Sequence, residues 1–537
     1  MADLPVQDLI DEGRQAAEKG QLDEACALFL QAAAKAAGSA ETLTGIGAEI
    51  IKISRFGKAH DVLLQAIEAK PDHVPAISTL GELYLTIRQP AMAAACFEKI
   101  TGLEPNDAKA WFSLGRARYE EKDMEKALIA SRQAIKQGER TAIAYRLVLV
   151  ILENLSRLDE MAEFMEGATR AHPDDELMQI LHANLEARTG NQKAALQRLR
   201  GIKLDDKAAN VAATVHYDMG RILDALGEYE AAFDAFSAAN NHQAQVFTEK
   251  GFSSDKAMAD LADIEALDLS FLEQASENPG ERDHTAPVFQ VGFPRSGTTL
   301  LSYILDAHSG IDIMQETVVL QQTRQKLMAK SGAYPALLAG LPDEDTRAAA
   351  DDYLGACKAI GGVSLEKVIV DKVPLNLIHI PLIVRLFPDA RLVLSLRHPC
   401  DACLSCFMQN FGENNEMANF LDLEKTVQYY ARVMSLWLKF AEHLPLNVHV
   451  VKYEDLVGNL EAEARKLIAF LGLPWEDGVL AYREKLQEKG FLKTPSYSQV
   501  VKPLYTDSLE RWRHYGKHFA PHKELLAPFL KHFGYQM

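Results

Sequence analysis

The stretch that decides the fold is VFQVGFPRSGTTLLSYILDAH, Val288 to His308. An apolar run, PVFQVGF, ends at a glycine loop, and TTLLSYILDAH then carries leucine and isoleucine at helical spacing. This reads as a buried strand feeding a helix, so the backbone N–H groups of the loop stand at a helix N-terminus, where an anion is stabilised. Gly292 and Gly297 have the spacing of the nucleotide-binding G-x-x-x-x-G-K-[ST], yet Thr298 occupies the lysine position and Arg295 lies inside the loop. The stretch therefore predicts a phosphate site with an altered cation.

Downstream, KVIVDKV, RLVLSLRH and NVHVVKY have the apolar character of buried parallel strands, and LNLIHIPLIVRLF and EAEARKLIAFLGL read as helices among them. The expected fold is an α/β P-loop-like domain with a parallel sheet, its ligands at the strand C-terminal ends. A nucleoside triphosphatase would use Asp371, ending VIVD, to hold Mg²⁺. Against that reading stand Thr298, Lys372 directly after the aspartate, and Arg397 closing RLVLSL. Two cations and no loop lysine point to a dianionic nucleotide bound without a metal.

At these residues the chain resembles the sulfotransferases that use 3′-phosphoadenosine 5′-phosphosulfate (PAPS), nearest to their protein-tyrosine branch, over most of 287–537. PRSGTT, with Arg295, Ser296, Gly297, Thr298 and Thr299, is similar to that family's 5′-phosphosulfate loop, and RLVLSLRHPCDACLS to its 3′-phosphate motif, with Arg397 and Ser405. A guanidinium makes bidentate contacts to a terminal phosphate, and a hydroxyl two turns along the next helix can reach the same group. The resemblance implies further roles. Glu316, in GIDIMQETVVL, would take the acceptor's proton; Lys372 would face the bridging oxygen; Tyr453, in NVHVVKYEDLV, would touch the cofactor. Ser496, Gln499, Lys502 and Arg511, in SYSQVVKPLYTDSLERW, match a C-terminal cofactor clamp, with Ser496 counted among the catalytic residues. His379 is the fallback base. Gln409 stands where the tyrosine branch has a second basic residue, and Arg511 where the clamp ends in lysine. The implied activity is sulfuryl transfer from PAPS, without a metal, to a hydroxyl of protein tyrosine, a carbohydrate or a small alcohol. The alternative is a scaffold with a non-catalytic nucleotide site.

Upstream the chain repeats itself. Gly13, Gly47, Gly81 and Gly115 recur every 34 residues, and Ala25, Ala59, Ala93 and Ala127 follow them in one register. Trp111, Leu114, Phe97, Ala66, Ala134, Pro71 and Pro105 complete a pattern that resembles the tetratricopeptide repeat. The expected architecture is an all-α tetratricopeptide-repeat solenoid of about seven repeats over 5–241, a linker at 242–286, and the sulfotransferase-like domain at 287–537. Such a solenoid offers a concave face to an extended peptide or partner surface, here the acceptor.

Composition bounds the rest. The net charge of −18 is uneven: residues 1–286 hold 30 Lys+Arg against 47 Asp+Glu, and 287–537 hold 27 against 28. An acidic first half argues against nucleic acid as a partner. No apolar run is long enough for a membrane span, the acidic start lacks a signal sequence, and six cysteines in so long a chain suggest a reducing, cytoplasmic setting. Cys400, Cys403 and Cys406 have an iron–sulfur spacing, but no fourth cysteine completes it, and on a helix they read as packing residues.

Overall fold

The structure, a computed structural model, describes residues 4–204, 208–272, 286–489 and 509–537, with backbone alone at 486–489. The chain divides into two compact units, Met1–Ile202 and Lys203–Met537. The first holds twelve helices among its described residues, from Val6–Glu18 to Gln192–Arg200. They pair in hairpins because the repeated glycines permit close approach: a Cβ on Gly47 would lie 2.7 Å from Leu63 Cδ2, and one on Gly81 2.7 Å from Phe97 Cζ. The alanines in register, Ala25, Ala59, Ala93 and Ala127, are fully buried. Helices end at Ala69 and Leu103, just before Pro71 and Pro105, since the residue preceding a proline is driven out of helical geometry.

The seventh helix pair belongs to the second unit. Its helices, Ala209–Ala225 and Tyr229–Glu249, pack through the same device, with Gly220 against Phe236. The predicted boundary at 241 and linker at 242–286 need correction over the described residues. The helix Tyr229–Glu249 runs through position 241, and Ser254–Glu265 is a further helix that buries Ala257, Leu261 and Ile264. Polar residues between those apolar positions obscure the period in the sequence. Both helices are fastened to the α/β domain. Asn240 Nδ2 donates to the Phe407 carbonyl at 3.0 Å, Phe233 stacks on Phe407, and Arg432 Nε donates to Glu265 at 2.8 Å.

Among the described residues the sheet has five parallel strands in the order β2-β3-β1-β4-β5: β1 Val288–Gly292, β2 Ile311–Gln315, β3 Val368–Lys372, β4 Arg391–Leu396 and β5 Asn447–Lys452. The central strand β1 is buried throughout, and the edge strand β5 is largely open. The chain leaves β1 toward β2 and later places β4 on the other side, so the strand order reverses beside β1. A crevice for ligand is expected at the C-terminal ends there. Among the described residues, no helix is long and apolar enough to cross a membrane.

Candidate active site

The loop after β1 is shaped by backbone that few residues accept. Gly292 has φ 155° and lies so close to the Ser395 carbonyl that no side chain fits, and Gly297 has φ 82° with the Tyr453 ring where a Cβ would stand, 2.5 Å from Cδ2. Arg295 is left-handed at φ 67°, a strain that surrounding contacts must hold. Its Nε donates to Ser405 Oγ at 3.0 Å, and its carbonyl accepts from Arg397 Nη1 at 3.2 Å. The Arg397 guanidinium lies 5.0 Å from the centre of the Tyr453 ring. Ser296, Thr298 and Thr299 are buried in the same turn, and Thr298 begins the helix Thr298–Asp306. The structure therefore brings Arg295, Gly297, Arg397, Ser405 and Tyr453 together at the ends of β1, β4 and β5.

Glu316 and Lys372 meet at the ends of β2 and β3. Lys372 Nζ donates to Glu316 Oε1 at 2.6 Å, and Glu316 N donates to the Lys372 carbonyl at 2.9 Å. The lysine side chain is 0% exposed and the glutamate's 47%, so the pair spans from interior to crevice. Burial pulls the Lys372 pKa below its ordinary value, against the pull of Glu316. Glu316 is itself left-handed, at φ 50°.

Arg511 forms an ion pair with Asp224 of the seventh helix pair at 2.5 Å, and Tyr515 donates to the same carboxylate at 2.6 Å. Ser496, Gln499 and Lys502 lie outside the described residues. His379 cannot serve as the fallback base. Arg324 donates to its Nε2 at 2.9 Å, which leaves the proton on Nδ1, facing Tyr334 OH at 3.0 Å. Burial and the Arg324 charge bring its pKa down to about 3. Asp371 projects to the opposite face of β3 from Lys372, where it accepts from Tyr353 at 2.6 Å, and burial raises its pKa to about 6. The triphosphatase reading of Asp371 is thereby removed, because the carboxylate faces the core.

Cys400, Cys403 and Cys406 are buried free thiols on the helix Pro399–Phe407, and Cys406 Sγ packs 3.5 Å from the Pro294 carbonyl under the loop. Reasoning from sequence missed Gln290 and Gln315, whose side chains support the helix Thr298–Asp306 through bonds to Thr298 O and Ser302 Oγ. A signal existed for the first: a glutamine interrupts an otherwise apolar strand.

The profile described as "Sulfotransferase family" matches residues 287–477, and that described as "Tetratricopeptide repeat" matches 78–138. An uncharacterised protein of Aquifex aeolicus is 26% identical over 394 residues, covering 71% of this chain, which spans only 50% of that relative. Protein-tyrosine sulfotransferase 1 of Danio rerio is 28% identical over 261 residues, 46% of this chain and 72% of its own. Protein-tyrosine sulfotransferase A of Caenorhabditis elegans is 26% identical over 287 residues, 52% of this chain and 74% of its own. The second unit of the chain thus carries a domain matched by the sulfotransferase family profile, in a chain that also carries tetratricopeptide repeats.

Proposed function

We propose that the chain transfers a sulfuryl group from PAPS to a hydroxyl, and that the repeats recruit a protein acceptor. The observation that carries this reading is the buried Lys372 bonded to the half-exposed Glu316, together with a loop whose Arg295 is met by Arg397 from the end of β4 and by Ser405 from the helix Pro399–Phe407. One group can take a proton, one can meet negative charge at a breaking bond, and the rest suit phosphate. In the reaction, the Glu316 carboxylate accepts the acceptor's proton as the hydroxyl oxygen bonds to sulfur. The bond from sulfur to the bridging oxygen breaks, and its electron pair stays on the departing phosphate. The Lys372 ammonium and the loop N–H groups stabilise that charge. Arg397 and Ser405 would hold the 3′-phosphate, which gives PAPS its advantage over ATP.

Protein tyrosine is the acceptor supported by the named activity of the Danio rerio and Caenorhabditis elegans relatives. The test is incubation of the full chain with radiolabelled PAPS and a lysate, followed by hydrolysis of whatever is labelled. Label on tyrosine is the expected result. Label on sugar or a small alcohol would replace the acceptor, and binding of the nucleotide with no transfer to anything would make the domain a non-catalytic scaffold.

A further inference from the structure

Lys372 is flanked across the sheet by two glutamines. In the parallel register it stands opposite Gln290 of β1 on one side and Gln315 of β2 on the other. Side chains alternate along a strand, so all three project from one face. Hydrogen bonding settles which way each amide is turned. Gln290 meets the Thr298 carbonyl at 2.8 Å, and because a carbonyl only accepts, Nε2 must be the atom there. Gln315 meets Ser302 Oγ at 3.0 Å, and that hydroxyl already spends its single hydrogen on the Thr299 carbonyl, so Nε2 donates here as well. Both amide oxygens are left buried without a hydrogen-bond partner. Buried acceptors in that condition are costly and uncommon, and here two of them flank one cation. Lys372 has the matching surplus. Its ammonium carries three donors, and Glu316 is its one hydrogen-bond partner among the described residues.

We propose that Gln290 and Gln315 are positioning residues for Lys372: their amide oxygens take two of its ammonium protons when Glu316 turns to the acceptor hydroxyl, leaving the third aimed at the donor's bridging oxygen. This rests on the sulfuryl-transfer reading. Protonation of Glu316 during transfer removes the negative charge facing Lys372 at the step that needs the cation. A fully buried ammonium with no other acceptor would lose its proton or move toward water. Two fixed amide dipoles prevent both. Asp371 does not take part, because it lies on the other face of β3 with Tyr353.

The test follows the Lys372 ammonium in the full chain carrying Glu316→Ala, which withdraws the carboxylate as transfer does, without donor or acceptor, by NMR titration of lysines labelled at Cε. In Gln315→Met and Gln290→Met, the acid dissociation constant of Lys372 should rise roughly tenfold, because the charged form loses a partner. In Gln315→Glu, which keeps an oxygen toward the lysine, it should fall; this variant also serves if the methionine variants do not fold. In turnover, Gln315→Met should lower kcat about tenfold with KM for PAPS changed by less than about twofold. A Lys372 titration unmoved in folded methionine variants overturns the proposal, as does an unmoved titration in Gln315→Glu. If the titration shifts as stated but no acceptor is ever sulfated, the catalytic reading fails and the positioning of Lys372 stands. If sulfation proceeds and the titration does not move, the positioning alone fails.

Discussion

Glu316 and Lys372 are bonded before any substrate arrives, and this makes their separate roles measurable. Glu316→Gln keeps the volume and removes the proposed base, so kcat should fall by roughly 100-fold or more while affinity for the product nucleotide 3′,5′-ADP (PAP) stays nearly constant. Arg397→Ala should do the reverse, weakening PAP binding by about 2–3 kcal/mol, read by calorimetry. Asp371 supplies a contrasting residue. An aspartate whose pKa is about 6 in the folded chain, against 3.8 ordinarily, binds its proton more tightly when folded. Between about pH 4 and pH 6 its contribution therefore falls as pH rises, and the folded state remains penalised above that window. His379 does the opposite: with a folded pKa near 3 against 6.5, it opposes folding increasingly as pH drops from about 6.5. Asp371→Asn keeps an acceptor for Tyr353 and should raise the melting temperature near pH 7 without altering turnover. The same variant should lose stability more steeply than the parent as pH falls from about 6 to 4, because only the histidine contribution remains. A drop in kcat instead would return Asp371 to the active site.

At the scale of elements, the glycine loop and the repeat hairpins were legible because each depends on residue types that little else can replace. Gly297 must leave room for Tyr453, and Gly81 for Phe97, so both positions announce themselves at fixed spacing. Gly81→Ala should destabilise the first unit by roughly 1–3 kcal/mol through overpacking and leave PAP affinity unchanged, which melting curves and calorimetry together would check. Less legible were elements whose reason is a distant partner. Nothing local marks Asp224 as the anchor of Arg511 and Tyr515, nor Asn240 as the donor to Phe407, since these contacts join residues far apart in sequence. The full length of the helix Tyr229–Glu249 is hidden for the same cause: its second half meets the α/β domain at Phe407 as well as its own repeat at Tyr217 and His216. Asn240→Leu would strand both the Phe407 carbonyl and Tyr217, whose hydroxyl donates to Asn240 at 2.5 Å. It should lower the melting temperature of the second unit. It should also weaken PAP binding, because Phe407 ends the helix that carries Ser405.

Across the whole molecule, the division at Ile202 changes where the acidic charge belongs. Residues 1–202 hold 24 Lys+Arg and 30 Asp+Glu, a balance of −6; residues 203–286 hold 6 and 17, a balance of −11; residues 287–537 hold 27 and 28, a balance of −1, and the three sum to −18. Most of the acidic excess thus lies in the segment that includes the seventh helix pair, inside the second unit. Any salt-sensitive attraction of a protein acceptor with a basic segment, as the acidic excess would favour, should largely survive removal of residues 1–202, while contacts made by the first six helix pairs would be lost. A truncation at 241 would instead remove Asp224 and Asn240 and disturb the second unit itself. The most direct measurement of the central claim is calorimetry of the full chain with PAP and with ADP, both in EDTA, because the two isomers differ in whether the second phosphate sits at the 3′ position, where the proposal has Arg397 and Ser405 hold it, or on the 5′ chain. The account predicts that PAP binds without metal and at least about tenfold more tightly than ADP, with the preference abolished in Arg397→Ala. Equal affinity for the two nucleotides, or PAP binding that vanishes on chelation, would contradict it.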